Sequence, residues 1–188
     1  MVDGFKSGMI PIEAKTWQEE QGRQAFQAGK LLFHRNWPYV WNLAGKTDGS
    51  SKIVGKFAVA PLPGKTGPGV STLGGHNIGI STFTKNKGTA GDFIKFIASP
   101  EIQKTFLEKG SLAPILQDLY SDAALQKQFP YLATLGESIK TAKPRPKAVR
   151  YGDVTTAIQD ATYAALQGQT DATAAFTGLQ TKLEGLLK

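Results

Sequence analysis

An apolar run and an aromatic cluster follow each other directly in residues 31–41, which read LLFHRNWPYVW. The three apolar residues at the start are typical of a short buried strand. Pro38 does not suit a strand interior, because proline removes a ladder hydrogen-bond donor. The aromatic residues therefore mark the end of a strand that opens into a turn or a helix.

The aromatic residues of this stretch have two interpretations. Trp37 and Tyr39 offer flat apolar faces with polar edges, which stack well on a ligand such as a sugar ring. Packing in the core is the alternative, and for Trp41 we expect it. For Trp37 and Tyr39 the residues themselves leave both interpretations open.

The composition indicates a folded chain without a metal centre. Of 188 residues, 40% are hydrophobic and 20% are charged, enough apolar material for a buried core. The sequence has no cysteine and two histidines, which excludes disulfides, thiolate metal sites and a histidine-rich centre. No apolar run is long enough to cross a bilayer. We expect no cofactor.

The charge is basic, with a net value of +7 and a pI near 9.5. A basic balance raises the prospect of nucleic-acid binding. The lysines are dispersed, however, and no nucleic-acid motif is present, so a solvated basic surface is the better interpretation. We expect no nucleic-acid partner.

Strand and helix patterns alternate along the chain, which predicts the α/β class. Strands are predicted at residues 31–34, 56–60 and 77–81, from apolar runs and period-two alternation. Helices are predicted at residues 13–28, 38–43, 89–97, 99–110, 121–141, 154–165 and 171–187. Proline- or glycine-marked connectors at 60–64, 110–114 and 142–151 are either ordinary loops or hinge crossings between two lobes.

Catalysis has little support in the sequence. Glu19 and Glu20 are adjacent on a helix, which does not suit a glycosidase carboxylate pair. No serine lies in a nucleophile elbow, and no glycine-rich loop has the phosphate-binding pattern. We therefore expect a binding protein rather than an enzyme.

Binding is better supported, by a glycine pair and by a late basic segment. Gly74 and Gly75 allow a ligand to approach the backbone closely, and His76 adds a hydrogen-bonding side chain. A tight turn or bulge is the alternative for the glycines. The late proline-rich segment carries Arg145, Arg150 and Tyr151, which we predict to form one wall of a cleft. The alternative for each of these residues is simple exposure on the surface.

Five segments resemble, in the expected order, the C-terminal half of sugar-binding proteins of ABC importers, and the maltose/trehalose type is closest. They are residues 26–39 (FQAGKLLFHRNWPY), 58–64 (AVAPLPG), 73–80 (LGGHNIGI), 90–101 and 145–159. The resemblance implies a periplasmic-binding-protein-like α/β fold of two lobes that close on a sugar, here an incomplete fragment of both. By analogy, residues 1–59 and 115–188 belong to one lobe and 64–109 to the other, with hinge crossings near 60–63 and 110–114.

The resemblance also implies roles for the candidate residues. Trp37 and Tyr39 would stack on sugar, and Gly74 and Gly75 would contact it through the backbone. The next residue is often Trp in trehalose and maltose binders, and His76 here leaves the identity of the sugar open. A late arginine contacts sugar in some relatives, and both Arg145 and Arg150 qualify.

The partners implied by the resemblance are a carbohydrate ligand and the permease subunits of an ABC importer. The location implied is extracytoplasmic, in the periplasm or on a cell-surface lipoprotein, although no signal peptide is visible in this chain. The chain resembles only half of such a receptor, so we expect it to expose apolar surface. We expect this surface to be covered by the missing N-terminal half or by self-association of the fragment. The alternatives are a carbohydrate-active enzyme or a binding protein for another small solute.

Overall fold

The structure, a computed structural model, describes residues 1–187. The chain forms two compact units, one from Glu19–Arg145 and one from Met1–Gln18 with Pro146–Lys188. We call them the central unit and the terminal unit. The predicted division into lobes refers to a complete two-lobed fold, and it stays a prediction.

Helices dominate the described residues. In chain order they are α1 (Val2–Lys6), a 3₁₀ helix (Ile12–Lys15), α2 (Glu19–Gln27), α3 (Val40–Ala44), α4 (Lys87–Ile97), α5 (Pro100–Gly110), α6 (Asp118–Ser121), α7 (Ala123–Gln128), α8 (Tyr131–Thr141), α9 (Tyr151–Gln167) and α10 (Ala172–Leu186). The predicted helix at 13–28 was wrong as one element, because the chain leaves helical geometry between the 3₁₀ helix and α2.

The core of the central unit lies where α5, α7 and α8 meet. Its buried members are Leu107, Leu125, Phe129, Tyr131 and Leu132. Trp41 of α3 packs against this cluster, with its ring centroid 5.0 Å from that of Tyr131. The prediction that Trp41 is a core aromatic is therefore confirmed. In the terminal unit, α9 packs along α10.

Local signals placed several helix ends correctly. Gly29 follows α2 with φ of +73°, a left-handed conformation that glycine adopts without strain. The Asp171 carboxylate accepts a hydrogen bond from the Ala174 amide at 2.9 Å and caps α10. Pro100 is the first residue of α5, but the Ser99 side chain does not cap the helix, because its hydroxyl donates instead to the Phe96 carbonyl. The helix predicted at 89–97 begins two residues earlier, at Lys87 of α4.

The three predicted strands do not form in the described residues. The only β-type pairings there are isolated bridges between Pro63 and Pro68 and between Thr72 and Lys143. Leu32 and Phe33, predicted to be buried, are 85% and 86% exposed. A strand exists only when another strand hydrogen-bonds to it, and residues 31–34, 56–60 and 77–81 meet no such partner within this part of the chain.

Apolar side chains are also exposed on α4, where Phe93 and Phe96 each show more than half of their surface and no residue is buried. On α9, Val154 and Ala165 are buried, whereas Ile158 is exposed. Among the described residues, no helix combines the length and apolar character needed to cross a membrane.

Candidate functional site

The indole of Trp37 lies against Gly74 in the central unit. A Cβ atom at Gly74 would stand 3.0 Å from Trp37 Cη2, closer than ordinary van der Waals contact. Trp37 is nevertheless 55% exposed, so it remains accessible to a ligand. The structure thus brings together an accessible indole and a backbone segment that carries no side chain at the point of contact.

The backbone of Trp37 is held by the residue before it. The Asn36 side-chain oxygen accepts a hydrogen bond from the Trp37 amide at 2.6 Å, and Asn36 Nδ2 lies 2.8 Å from His34 Nε2. Burial lowers the pKa of His34, which favours a neutral ring able to accept this hydrogen bond. His34 therefore supports the Trp37 turn.

The glycine segment is tied to the start of the proline-rich segment. The Leu73 amide donates to the Lys143 carbonyl at 2.8 Å, and the Lys143 amide donates to the Ser71 carbonyl at 3.0 Å. These bonds form the parallel bridge between Thr72 and Lys143. Trp37, Gly74 and the backbone two residues before Arg145 therefore lie in one neighbourhood of the central unit.

Tyr39 is partly buried at the N-terminal end of α3, and its hydroxyl is already engaged. The hydroxyl donates to Glu20 Oε1 of α2 at 2.8 Å. Burial raises the pKa of the Tyr39 hydroxyl, and the neighbouring carboxylates of Glu19 and Glu20 raise it further. The phenol therefore stays protonated and acts as a donor to Glu20.

Glu20 was missed as a site residue by sequence reasoning. It is 19 positions from Tyr39 and on another helix, so no local spacing or composition signal connects the two residues. The hydrogen bond from Arg23, followed by that from Tyr39, holds the pKa of the Glu20 carboxyl below its ordinary value. Glu20 is thus an ionised acceptor beside a predicted ligand-binding aromatic residue.

The other predicted site residues fall into two groups. Gly75 and His76 follow Gly74 and are exposed. Arg150 and Tyr151 belong to the terminal unit, where Arg150 Nε donates to Asp153 Oδ2 at 2.6 Å and Tyr151 is the first residue of α9. Their predicted contact with ligand stays a prediction.

A cavity of about 420 Å³ lies elsewhere in the central unit, between α2, α3 and the loop that follows. Basic and polar side chains line it, including Arg23, Gln27, Lys46 and Lys52. None of the predicted site residues takes part. Across residues 1–187, His, Asp and Glu side chains form no group of three with the arrangement of a metal site.

Comparisons with known proteins give consistent matches. The family described as bacterial extracellular solute-binding protein matches residues 3–131. A probable ABC transporter-binding protein of Deinococcus radiodurans is 34% identical over 169 residues, which is 88% of this chain and 40% of that protein.

Two solved structures have a similar fold. The maltose-bound MalE3 of T. maritima is 35% identical and has a TM-score of 0.91. The match covers all of this chain and 48% of the MalE3 chain. The sugar-binding protein MalE of Xanthomonas citri is 19% identical, with a TM-score of 0.75 over 99% of this chain and 46% of its own, a likeness of fold alone. The chain thus spans a little under half the length of the relatives it matches.

Proposed function

The chain belongs to the bacterial extracellular solute-binding proteins, and from that premise we propose that it binds an oligosaccharide of the maltose or trehalose type. Binding is reversible and involves no chemical step. In the complete protein, closure of two lobes around the sugar presents it to the permease of an ABC importer. The location of the complete protein is the periplasm or the outer surface of the cell membrane, where it is held as a lipoprotein.

The predicted fold class and family resemblance are confirmed by the matches. The structural neighbours are periplasmic-binding proteins, and this chain covers a little under half of each, as expected of a partial two-lobed fold. The family consists of solute-binding proteins of transporters, not of enzymes. The chain is therefore a part of a solute-binding protein, and the class of solute is proposed from the residues of its candidate site.

The observation that carries the sugar proposal is the contact between Trp37 and Gly74. A sugar ring has one apolar face of C–H groups and a rim of hydroxyl groups. The accessible indole offers a flat surface for the apolar face, worth about 1 kcal/mol beyond the area it buries. Gly74 and Gly75 are exposed and carry no side chains of their own, so their backbone groups can be approached by the hydroxyl rim. The maltose bound to the T. maritima relative supports the same class of ligand.

The exposed apolar side chains support a second part of the proposal, a complementary partner segment. Exposure of Phe33, Phe83 and one face of α4 is unfavourable in water, and residues 31–34 and 77–81 have no strand partner within the described part of the chain. We propose that these apolar side chains are covered by an N-terminal half of the complete protein, since this chain spans less than half the length of its relatives. Self-association of the chain is the alternative occupant.

A ligand screen on the protein at its full natural length tests the proposal. A ligand that binds the native state raises its melting temperature, by linkage. We expect maltose, maltotriose or trehalose to raise it and to give a saturable isotherm by calorimetry, with the sugar recovered unchanged. Binding of amino acids or polyamines alone, or hydrolysis of the sugar, would overturn the assignment.

A further inference from the structure

The hydroxyl of Tyr39 begins a series of hydrogen bonds that ends in α3, the helix that starts at the next residue. Tyr39 donates to Glu20 Oε1 at 2.8 Å. On the other side of the carboxylate, Arg23 Nε donates to Glu20 Oε2 at 2.9 Å, and Arg23 Nη2 forms an ion pair with the same oxygen. The acceptor of the phenol is therefore fixed in place by a guanidinium.

The series of hydrogen bonds continues from Arg23 towards the interior. Arg23 Nη1 donates to the side-chain oxygen of Gln27, and Gln27 Nε2 donates to the Leu43 carbonyl of α3 at 2.8 Å. Gln27 is only 4% exposed and both bonds are partly buried, which limits the competition from water for them. The path starts at Tyr39, the residue before α3, runs along α2 and ends at Leu43 in α3.

This closed path has two consequences for the phenol ring. Its plane is set at the backbone end by the start of α3 and at the hydroxyl end by Glu20, so ligand binding would freeze little remaining rotamer freedom. A tyrosine hydroxyl has one proton to donate and two acceptor lone pairs. Because the proton is committed to Glu20, the oxygen offers only its lone pairs to a ligand.

We propose that Glu20 is a positioning residue that orients Tyr39 and makes its hydroxyl an acceptor for a hydroxyl group of the ligand. The proposal rests on the proposed function, since it assumes that Tyr39 contacts a sugar. It assigns a preference beyond stacking, namely for ligands that present a hydrogen-bond donor at this point.

Calorimetric titration of the full-length protein with maltose tests this role. We expect Glu20→Ala to weaken binding about tenfold, the loss of one charge-assisted contact of about 1.4 kcal/mol. Glu20→Gln keeps an acceptor oxygen and restores affinity to within about threefold of wild type. Glu137→Ala is the matched control, because Glu137 forms an exposed ion pair of the same i,i+3 spacing with Lys140 and lies on a different helix. We expect that control to bind like wild type.

A double-mutant cycle separates positioning from a general structural effect. In the Tyr39→Phe background the hydroxyl is gone, so adding Glu20→Ala should change the affinity less than twofold. An equal loss in both backgrounds, or wild-type affinity for Glu20→Ala, would overturn the role of Glu20 while leaving the sugar site intact. A wild-type protein that binds no oligosaccharide would overturn the proposed function and this inference together.

Discussion

The Trp37 indole occupies the space that a side chain at residue 74 would need. Its Cη2 atom lies 3.0 Å from the position of a Cβ at Gly74. These residues are 37 positions apart, yet the glycine is what allows the indole and the backbone to lie this close. The contact defines the surface on which we place the ligand.

Gly74→Ala is therefore expected to disturb the site more than the fold. The new methyl group displaces the indole by a few tenths of an ångström, which the exposed ring can accommodate. We expect sugar affinity to fall about five- to tenfold, since a misplaced stacking face loses about 1 kcal/mol. The melting temperature should change little.

Gly79→Ala is the matched control for this change, because a Cβ there meets no atom within 4 Å. Calorimetric titration of both variants with maltose compares their sugar affinities. Equal affinities of the two variants would show that the Trp37 contact at Gly74 has no bearing on binding.

Trp41→Ala is expected to have the opposite effect, a loss of stability. Trp41 packs its ring against Tyr131 and lies 4.9 Å, centroid to centroid, from Phe57. Removing a large, partly buried aromatic side chain costs about 2–4 kcal/mol of unfolding free energy. Urea unfolding measures this loss. Under conditions in which the variant is fully folded, its sugar affinity should stay within about twofold of wild type. A collapse of affinity at unchanged stability would move Trp41 into the binding site.

The contribution of Glu20 to stability is expected to depend on pH in one direction. Its pKa in the folded protein is lowered from 4.5 by Arg23 first and by Tyr39 second. A carboxyl with a depressed folded pKa stabilises above its unfolded pKa, and this stabilisation disappears as the pH falls through the folded value. Unfolding curves of wild type and Glu20→Gln should therefore differ more at pH 7 than at pH 3. A difference that grows on acidification would contradict the observed hydrogen bonds.

The helix caps offer a stability test that is independent of ligand. Asp171 accepts a bond from the Ala174 amide, whereas Ser99 at the start of α5 donates its hydroxyl backwards to Phe96. Asp171→Ala should cost about 1 kcal/mol of unfolding free energy, and Ser99→Ala less. Chemical denaturation ranks the two variants, and the reverse order would show that the cap of α10 is not formed in solution.

Local chemistry made much of this structure predictable. Pro100 at the first position of α5, Gly29 after α2 and Asp171 before α10 each act within one helical turn, so their effect is visible in a short window of sequence. Trp41 was also assigned correctly to the core, where it packs against Tyr131.

Non-local contacts were not predictable in the same way. Residues 31–34 have the composition of a strand, but strand formation needs a partner that composition cannot supply, and here Leu32 and Phe33 are exposed. The Tyr39–Glu20 hydrogen bond joins α2 to the residue before α3, and only the packing of α2 beside α3 brings it about. The juxtaposition of Trp37 with Gly74 was a hypothesis from resemblance, and no distance between the two residues could be derived from the order of amino acids.

The affinity of Trp37→Ala for maltose is the most direct measure of the central claim, that a carbohydrate stacks on this indole beside Gly74. We expect calorimetry of the full-length protein to show at least a tenfold loss, because the truncation removes the stacking face, while the far-ultraviolet circular dichroism and the melting temperature of the free protein stay close to wild type. Wild-type affinity in a correctly folded Trp37→Ala variant would contradict the claim.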